Sequence, residues 1–238
     1  MENIPKIVIY GDSLMKGTVL DENMRYHTVM AENIRDFSKA LGLSVKNRAK
    51  FGSTIVQGAG IMERDLSESL DYDYALIEFG GNDCSFKWKE VAQNPELDHR
   101  PITSLEQFEK TCLCMISKLK ARNITPALMT LPPIDAERHL DFIGREGDDR
   151  RGILRWLGDA NMIYRFHEHY SSSIEKIAQI TQTILVDVRS RFLVRHDLKD
   201  LICLDGVHLK PEGYRMIADA FADFVRGLRL QRGARVAT

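Results

Sequence analysis

The chain has 238 residues, of which 44% are hydrophobic and 28% charged, close to the averages of globular proteins. Its 33 basic and 34 acidic residues give a formal net charge of −1, so no overall field would attract nucleic acid or an acidic membrane surface. These values exclude a disordered or fibrous chain and argue against a polyanionic partner, and the length favours a single domain over residues 1–238.

Five short runs rich in β-forming residues alternate with helical patterns along the chain. They lie at residues 6–10, 44–49, 74–79, 126–131 and 184–188. Continuous apolar runs such as Ile7-Val8-Ile9 suit strands that are covered on both faces. The alternation predicts a doubly wound, three-layer α/β/α sandwich, whose ligands bind at the carboxyl ends of the strands.

Two of the helical patterns are clear. Residues 104–121 carry one apolar stripe, and a terminal helix is predicted from Pro211 to about residue 228. The segment 86–101 is interpreted as a loop, in which Phe86 and Trp88 belong either to the core or to the wall of an acyl pocket.

A segment dense in charge interrupts the alternation after the fourth strand, from Ile134 to about Gly158. One interpretation is a solvated excursion. The other is a flap over a site, because the segment leaves the sheet at the carboxyl end of a strand. A lipase lid would instead present an apolar or amphipathic surface, so this segment favours a substrate that is not a long-chain lipid.

A serine follows the first predicted strand directly, in the sequence Gly11-Asp12-Ser13-Leu14. The Ser13 hydroxyl is therefore predicted to lie on a turn at the ligand-binding edge of the sheet. Such a triplet is common in ordinary turns, because all of its residues suit turn conformations. To act as a nucleophile, serine also needs a neighbouring base, usually a histidine that a carboxylate holds in the correct tautomer.

The candidate base is His208, which follows Asp205-Gly206-Val207 in a loop before the terminal helix. A separation of three residues across a glycine-containing turn lets the Asp205 carboxylate reach the imidazole Nδ1 and leaves Nε2 free for the serine. The alternative is a surface turn in which the aspartate caps a helix.

Two glycine-containing segments could supply donors to an oxyanion. Gly80-Gly81-Asn82-Asp83 follows the third strand, and the Asn82 amide is a neutral donor suited to a developing negative charge. A plain turn explains this segment equally well. Gly52 follows the second strand, and its backbone N–H could be a further donor.

In chain order, these segments resemble the motifs of the GDSL, or SGNH, hydrolase family: Gly-Asp-Ser-Leu at 11–14, the glycine at Gly52, Gly-Asn-Asp at 81–83 and Asp-x-x-His at 205–208. The resemblance extends from residue 6 to about 228 and implies the SGNH hydrolase fold, a flavodoxin-like five-stranded parallel sheet between helices. One departure is Leu209, since many members have proline directly after the histidine, whereas this chain reaches proline only at Pro211.

The resemblance also implies roles for individual residues. Ser13 would be the nucleophile, His208 the general base and then acid, and Asp205 its orienting partner. The oxyanion hole would combine the backbone N–H groups of Ser13 and Gly52 with the Asn82 side chain.

We therefore expect a carboxylic ester hydrolase that acts through an acyl-enzyme on a small-molecule, short-acyl ester, such as an O-acetylated carbohydrate. Lysophospholipases and thioesterases share the same motifs and stay open as alternatives. A different class is a non-catalytic ligand-binding module on the same scaffold, which would require a broken triad. The natural ester and the oligomeric state are not predicted.

No cofactor and no metal site are expected. His167-Glu168-His169 has metal-ligand side chains, but residues two apart on a helix face about 200° away from each other, which favours a solvated or partly packed histidine pair. The cysteines are irregularly spaced and form no CxxC pair, so free thiols are expected.

The location in the cell is expected to be the cytoplasm. Residues 1–10 contain Glu2, Pro5 and Lys6, and so lack the uninterrupted apolar stretch of a signal peptide. No later segment approaches the ~18 apolar residues of a spanning helix, so no membrane partner is expected.

Overall fold

The computed structural model describes residues 4–28, 42–68, 71–147 and 149–236, with side chains described as far as 228. Its strands are β1 (Lys6–Gly11), β2 (Thr18–Leu20), β3 (Tyr26–Thr28), β4 (Ser44–Asn47), β5 (Tyr74–Glu78), β6 (Thr125–Met129) and β7 (Ile184–Val186). Five of them form a parallel sheet in the order β4-β1-β5-β6-β7. The five predicted strands and the predicted fold class are confirmed.

The helices cover both faces of this sheet. They are α1 (Ser13–Lys16), α2 (Ile55–Ser67), α3 (Trp88–Gln93), α4 (Leu105–Lys120), α5 (Ala136–Ile143), α6 (Asp149–Leu157), α7 (Asn161–Thr181), α8 (Arg189–Leu193), α9 (Leu198–Leu201) and α10 (Pro211–Val236). The helices predicted at 104–121 and from Pro211 are therefore present as α4 and α10.

Strand β1 lies inside the sheet, between β4 and β5, and its two covered faces explain its unbroken apolar sequence. Val8 and Tyr10 pack into one core with α2, α4 and α7, whereas Ile7 and Ile9 pack into a second core with α8 and α10. Because alternate side chains of a strand point to opposite faces, both faces of β1 are buried. Each such side chain contributes about 1.5–3 kcal/mol to folding when fully covered.

The segment 86–101 differs from the predicted loop, because it contains the short helix α3. Val91 of α3 is fully buried in a third apolar cluster with Leu140 of α5 and Ile153 of α6. A Cβ on Gly152 would lie 2.2 Å from the Ala92 carbonyl oxygen, so glycine is what allows α3 and α6 to approach each other closely. Tertiary packing therefore stabilises a helix that its own short sequence does not reveal.

The charged segment 134–158 folds as α5 and α6. Its apolar side chains, among them Leu140, enter the third cluster, and its charged side chains form surface ion pairs such as Arg150 with Asp141. The antiparallel hairpin β2–β3 is a further element that sequence reasoning did not predict.

No helix in the described part of the chain is long and apolar enough to cross a membrane.

Candidate active site

Ser13 lies where β1 ends and α1 begins, at the carboxyl edge of the sheet. Asp12 caps α1, because its Oδ1 accepts the Leu14 N–H at 2.8 Å. Ser13 is 6% exposed, and its Oγ lies 2.8 Å from His208 Nε2. The structure thus joins a serine and a histidine that are 195 positions apart in the sequence.

Asp205 holds the other side of the imidazole. Its Oδ2 lies 2.6 Å from His208 Nδ1 and accepts the Tyr26 hydroxyl at 3.1 Å, while its Oδ1 accepts the backbone N–H groups of Val207 and His208. Burial alone would raise the pKa of Asp205, but the hydrogen bonds and charge of His208, followed by the backbone donors, lower it to about 2. The carboxylate is therefore ionised at any pH at which the protein is expected to work.

The turn that carries Asp205 and His208 is fixed by packing. Gly206 has φ +76°, and a Cβ there would lie 2.4 Å from the His139 backbone nitrogen, so only glycine fits between this turn and α5. Leu209, where many family members have proline, pairs with Ile202 in an isolated antiparallel bridge. This pairing holds the loop in register without the proline.

Asn82 follows β5 and faces the same cavity as Ser13. Its Nδ2 donates to Asp12 Oδ2 at 2.9 Å and to the Ser53 carbonyl oxygen at 3.2 Å. Both amide hydrogens are thus engaged, and the longer bond to Ser53 is the one that a ligand oxygen could replace.

Asp12 and Glu78 form a buried pair of carboxyl groups beneath the serine. Glu78 is fully buried and accepts the Asp12 N–H at 3.3 Å, and within the described part of the chain its Oε1 has no partner. Burial, followed by the charge of Asp12, raises the pKa of Glu78 well above its ordinary value. Burial also raises the pKa of Asp12, to about 6, against the effect of the Leu14 N–H and of His208. Two carboxylates so close cannot both ionise readily, so Glu78 holds the proton.

Gly52 lies in the turn after β4, with φ +70°. It is exposed and does not line the cavity, whereas its neighbour Phe51 does. The Phe51 ring stacks on His208 with centroids 5.8 Å apart and planes 3° from parallel. Tyr26 packs on the same imidazole at 5.1 Å.

The cavity in front of Ser13 has a volume of about 210 Å³. Ser13, Asp205 and His208 line it, and so do aromatic and histidine side chains from other elements: Trp88, His139, Phe142, Phe166 and His167. Of the two residues left open by the sequence, Trp88 therefore lines the cavity, whereas Phe86 is a core residue at 6% exposure. The charged segment 134–158 contributes His139 and Phe142 to this wall.

The histidine pair expected to be solvated or partly packed is split. His167 is 3% exposed and lines the cavity, whereas His169 is exposed. Among the residues that the structure describes, no group of three or more histidine, cysteine or acidic side chains could hold a metal ion. Each of the four cysteines is free.

Sequence reasoning missed Tyr26, Phe51 and His139 as cavity residues, and it considered His167 only as part of a solvated or partly packed pair. None of them belongs to a motif, and each comes from an element whose position depends on packing. For two of them, the place in the sequence could have indicated a role in the site. Phe51 adjoins Gly52, and His139 lies in the segment considered as a flap.

Asp83, next to Asn82, makes the free energy of unfolding of the protein depend on pH. Burial raises its pKa from 3.8 to about 6, although the Thr103 hydroxyl and the Ile55 N–H oppose the shift. Between pH 3.8 and about 6 the folded protein therefore holds a proton that the unfolded chain has lost, and the free energy of unfolding falls as pH rises. At ~1.4 kcal/mol per pH unit, the contribution is on the order of 3 kcal/mol.

We expect Asp83→Asn, which mimics the protonated acid, to gain stability relative to the wild type as pH rises from 4 to 7. Urea unfolding midpoints at several pH values measure this difference. Asp98→Asn, at an exposed aspartate, is the control and should follow the wild-type curve. Parallel curves for the wild type and Asp83→Asn would contradict the expected proton uptake.

The profile of the GDSL-like lipase/acylhydrolase family matches residues 9–216, which is most of the chain and includes each of the motifs. The chain belongs to this family. It is therefore a carboxylic ester hydrolase.

Solved structures share the fold of this hydrolase at low sequence identity. A lipase/acylhydrolase from Enterococcus faecalis is 20% identical, with a TM-score of 0.63 over 94% of this chain and 96% of that one. A catalytic mutant of an acetylxylan esterase from Geobacillus stearothermophilus is also 20% identical, with a TM-score of 0.64 over 94% and 96%. A second acetyl xylan esterase is 24% identical, with a TM-score of 0.61 over 92% and 99%. Among curated proteins, no significant match is found.

Proposed function

We propose that the protein is a serine esterase for short-acyl esters of small hydroxyl-bearing alcohols, with Ser13, His208 and Asp205 as its catalytic triad. The observation that carries the proposal is the continuous hydrogen-bonded series from Ser13 Oγ through both nitrogens of His208 to Asp205 Oδ2. An intact triad argues against the alternative of a non-catalytic binding module.

In the proposed reaction, Ser13 Oγ attacks the ester carbonyl carbon as its proton passes to His208 Nε2. Collapse of the tetrahedral intermediate breaks the bond to the alcohol oxygen, which takes the proton from Nε2 and leaves. Water then attacks the acyl-enzyme, gives its proton to the same nitrogen, and releases the acid as Ser13 regains its proton. The ionised Asp205 stabilises the imidazolium at each step.

The oxyanion would be held by the backbone N–H of Ser13 and by the Asn82 amide. Gly52, expected from the sequence as a third donor, is exposed and does not line the cavity, so it has no role in this proposal. The Ser13 N–H is at the first turn of α1, where helix geometry leaves it without an internal acceptor. For Asn82 to contribute, the amide exchanges its 3.2 Å bond to the Ser53 carbonyl for the developing negative charge.

A small, polar substrate is supported by the shape and chemistry of the cavity. Its volume of about 210 Å³ lies below the ~300–1,000 Å³ of pockets that enclose drug-sized ligands. Acyl esters of carbohydrates are the substrates named for two of the structural neighbours. These observations favour acetyl to butyryl esters over the lysophospholipid or long-chain thioester alternatives.

We expect kcat/KM on p-nitrophenyl esters of two to sixteen carbons to be highest at two to four carbons. The reason is that the cavity, which would also hold part of the alcohol, is too small to enclose a longer acyl chain. Ser13→Ala, assayed in parallel, shows which part of each rate comes from the proposed nucleophile. A maximum at ten carbons or more would favour the lysophospholipase or thioesterase alternative, and activation by a lipid surface would exclude the small-ester proposal.

A further inference from the structure

Two histidines line the cavity together with the proposed triad and have no part in the proposed acyl transfer. His167 comes from α7 and His139 from α5, and both line the cavity wall. Trp88 packs edge-on against the His139 ring, with centroids 6.4 Å apart. Burying a polar group is costly unless it is hydrogen-bonded, so the ring nitrogens of these two histidines need partners.

The nitrogens of His167 are not equivalent. The residue is 3% exposed, and its Nδ1 is shut off from solvent and has no hydrogen-bond partner among the residues that the structure describes. A proton on Nδ1 would be a buried donor without an acceptor, so the proton belongs on Nε2. Burial, followed by the positive charge of Arg189, lowers the pKa of His167 to about 3, which keeps the ring neutral. His167 therefore offers an N–H donor through Nε2.

His139 has the opposite tautomer. Its Nδ1 lies 2.9 Å from the Asp205 carbonyl oxygen, an acceptor only, so Nδ1 carries the proton. Burial lowers the pKa of His139, and the bond to Asp205 only partly opposes this effect. The ring is neutral, and the remaining nitrogen, Nε2, offers a lone pair as an acceptor.

We infer that His167 and His139 together bind one hydroxyl group of the alcohol part of the substrate. A hydroxyl is at once a donor and an acceptor, and this pair supplies one partner for each function: His167 Nε2–H donates to the hydroxyl oxygen, and His139 Nε2 accepts the hydroxyl proton. Neither a carboxylate nor an ammonium group matches both nitrogens. The neighbouring rings of Trp88 and Phe166 suit the apolar faces of a polyol or sugar ring.

This inference rests on the proposed function and narrows it, since it assigns the selectivity to a hydroxyl on the leaving alcohol. A site built to bond a hydroxyl discriminates against an analogue without one, because its own polar groups are then left without partners. The preference for a hydroxyl-bearing alcohol should therefore appear in the ratio of kcat/KM for two matched esters, one with a hydroxyl on the alcohol and one without.

The test compares a monoacetate of methyl xyloside with cyclohexyl acetate, which has a ring of similar size and no hydroxyl. We take the ratio of kcat/KM for the xyloside acetate to kcat/KM for cyclohexyl acetate. This ratio should be at least about tenfold lower in His167→Leu than in the wild type. His167→Gln, whose amide nitrogen can donate near the position of Nε2, should restore most of the ratio. His169→Leu, at an exposed histidine of the same helix, is the control and should keep the wild-type ratio.

Thermal unfolding of each variant establishes that the ratios come from folded protein. If His167→Leu does not fold, the comparison between His167→Gln and His167→Met tests the same donor. A ratio that is unchanged in the folded variants, with Ser13-dependent hydrolysis of both esters, would overturn this inference and leave the proposed function intact. Failure of the wild type to hydrolyse any ester would instead overturn the proposed function, and this inference with it.

Discussion

Ser13→Ala is expected to lower kcat by at least about a thousandfold on any ester that the protein hydrolyses. The substitution removes the atom that forms the acyl-enzyme, while binding and oxyanion donors remain, and triad nucleophiles removed in this way lose rates of this size. Because Ser13 is already buried beside His208, the smaller side chain should leave the fold intact. Steady-state kinetics and a thermal unfolding curve measure the two effects.

Labelling by a fluorophosphonate gives an independent measurement, because this reagent modifies only an activated serine. Mass spectrometry should find the adduct on Ser13 in the wild type and none in Ser13→Ala. The cavity holds a second serine, Ser85, whose Oγ accepts the Trp88 indole N–H at 3.0 Å. Ser85→Ala should therefore still be labelled. Labelling of Ser13→Ala, or most of the esterase activity surviving in it, would show that another residue is the nucleophile.

Asp205→Asn should lower kcat by about 10⁴-fold with little change in structure. The amide oxygen of the variant side chain can still accept the backbone N–H groups of Val207 and His208, which now bond to Asp205 Oδ1. The amide nitrogen would then face His208 Nδ1 and donate to it, so the imidazole proton would move to Nε2. In that tautomer Nε2 cannot accept the proton of Ser13, and the imidazolium also loses its counter-charge.

Tyr26→Phe is the matched comparison, since the Tyr26 hydroxyl donates to the same carboxylate oxygen as His208. It removes one of the four described hydrogen bonds to the Asp205 carboxylate without changing the charge, so kcat should fall far less than in Asp205→Asn. Kinetics of both variants, with circular dichroism to compare their folds, test the assignment. Equal and small losses in the two variants would mean that Asp205 does not orient the base.

The sequence by itself determined which five segments form the sheet and which motifs follow its strands. An unbroken apolar run such as Ile7-Val8-Ile9 is stable in a strand that is buried on both faces. In a parallel sheet, the carboxyl end of such a strand lies at the ligand-binding edge. Ser13 and Asn82 lie in the short segments that follow β1 and β5, so local sequence was enough to position them. The Asp205–His208 turn is also local, because its spacing and Gly206 dictate the contact between carboxylate and imidazole.

Only the tertiary structure decided what surrounds the triad. The helix α3 exists because Val91 is buried against α5 and α6, and a six-residue sequence has too little helical preference of its own to show it. The sequence of the charged segment 134–158 did not indicate that His139 lines the cavity, because a single inward-facing histidine produces no periodic pattern in the sequence. His167 was expected in a solvated or partly packed pair, and only the packing of α7 shows that it is buried and lines the cavity. A motif can be found in the sequence because its residues are close together and keep a fixed spacing. The wall that faces a substrate is formed by packing between distant segments, and that packing depends on the whole fold.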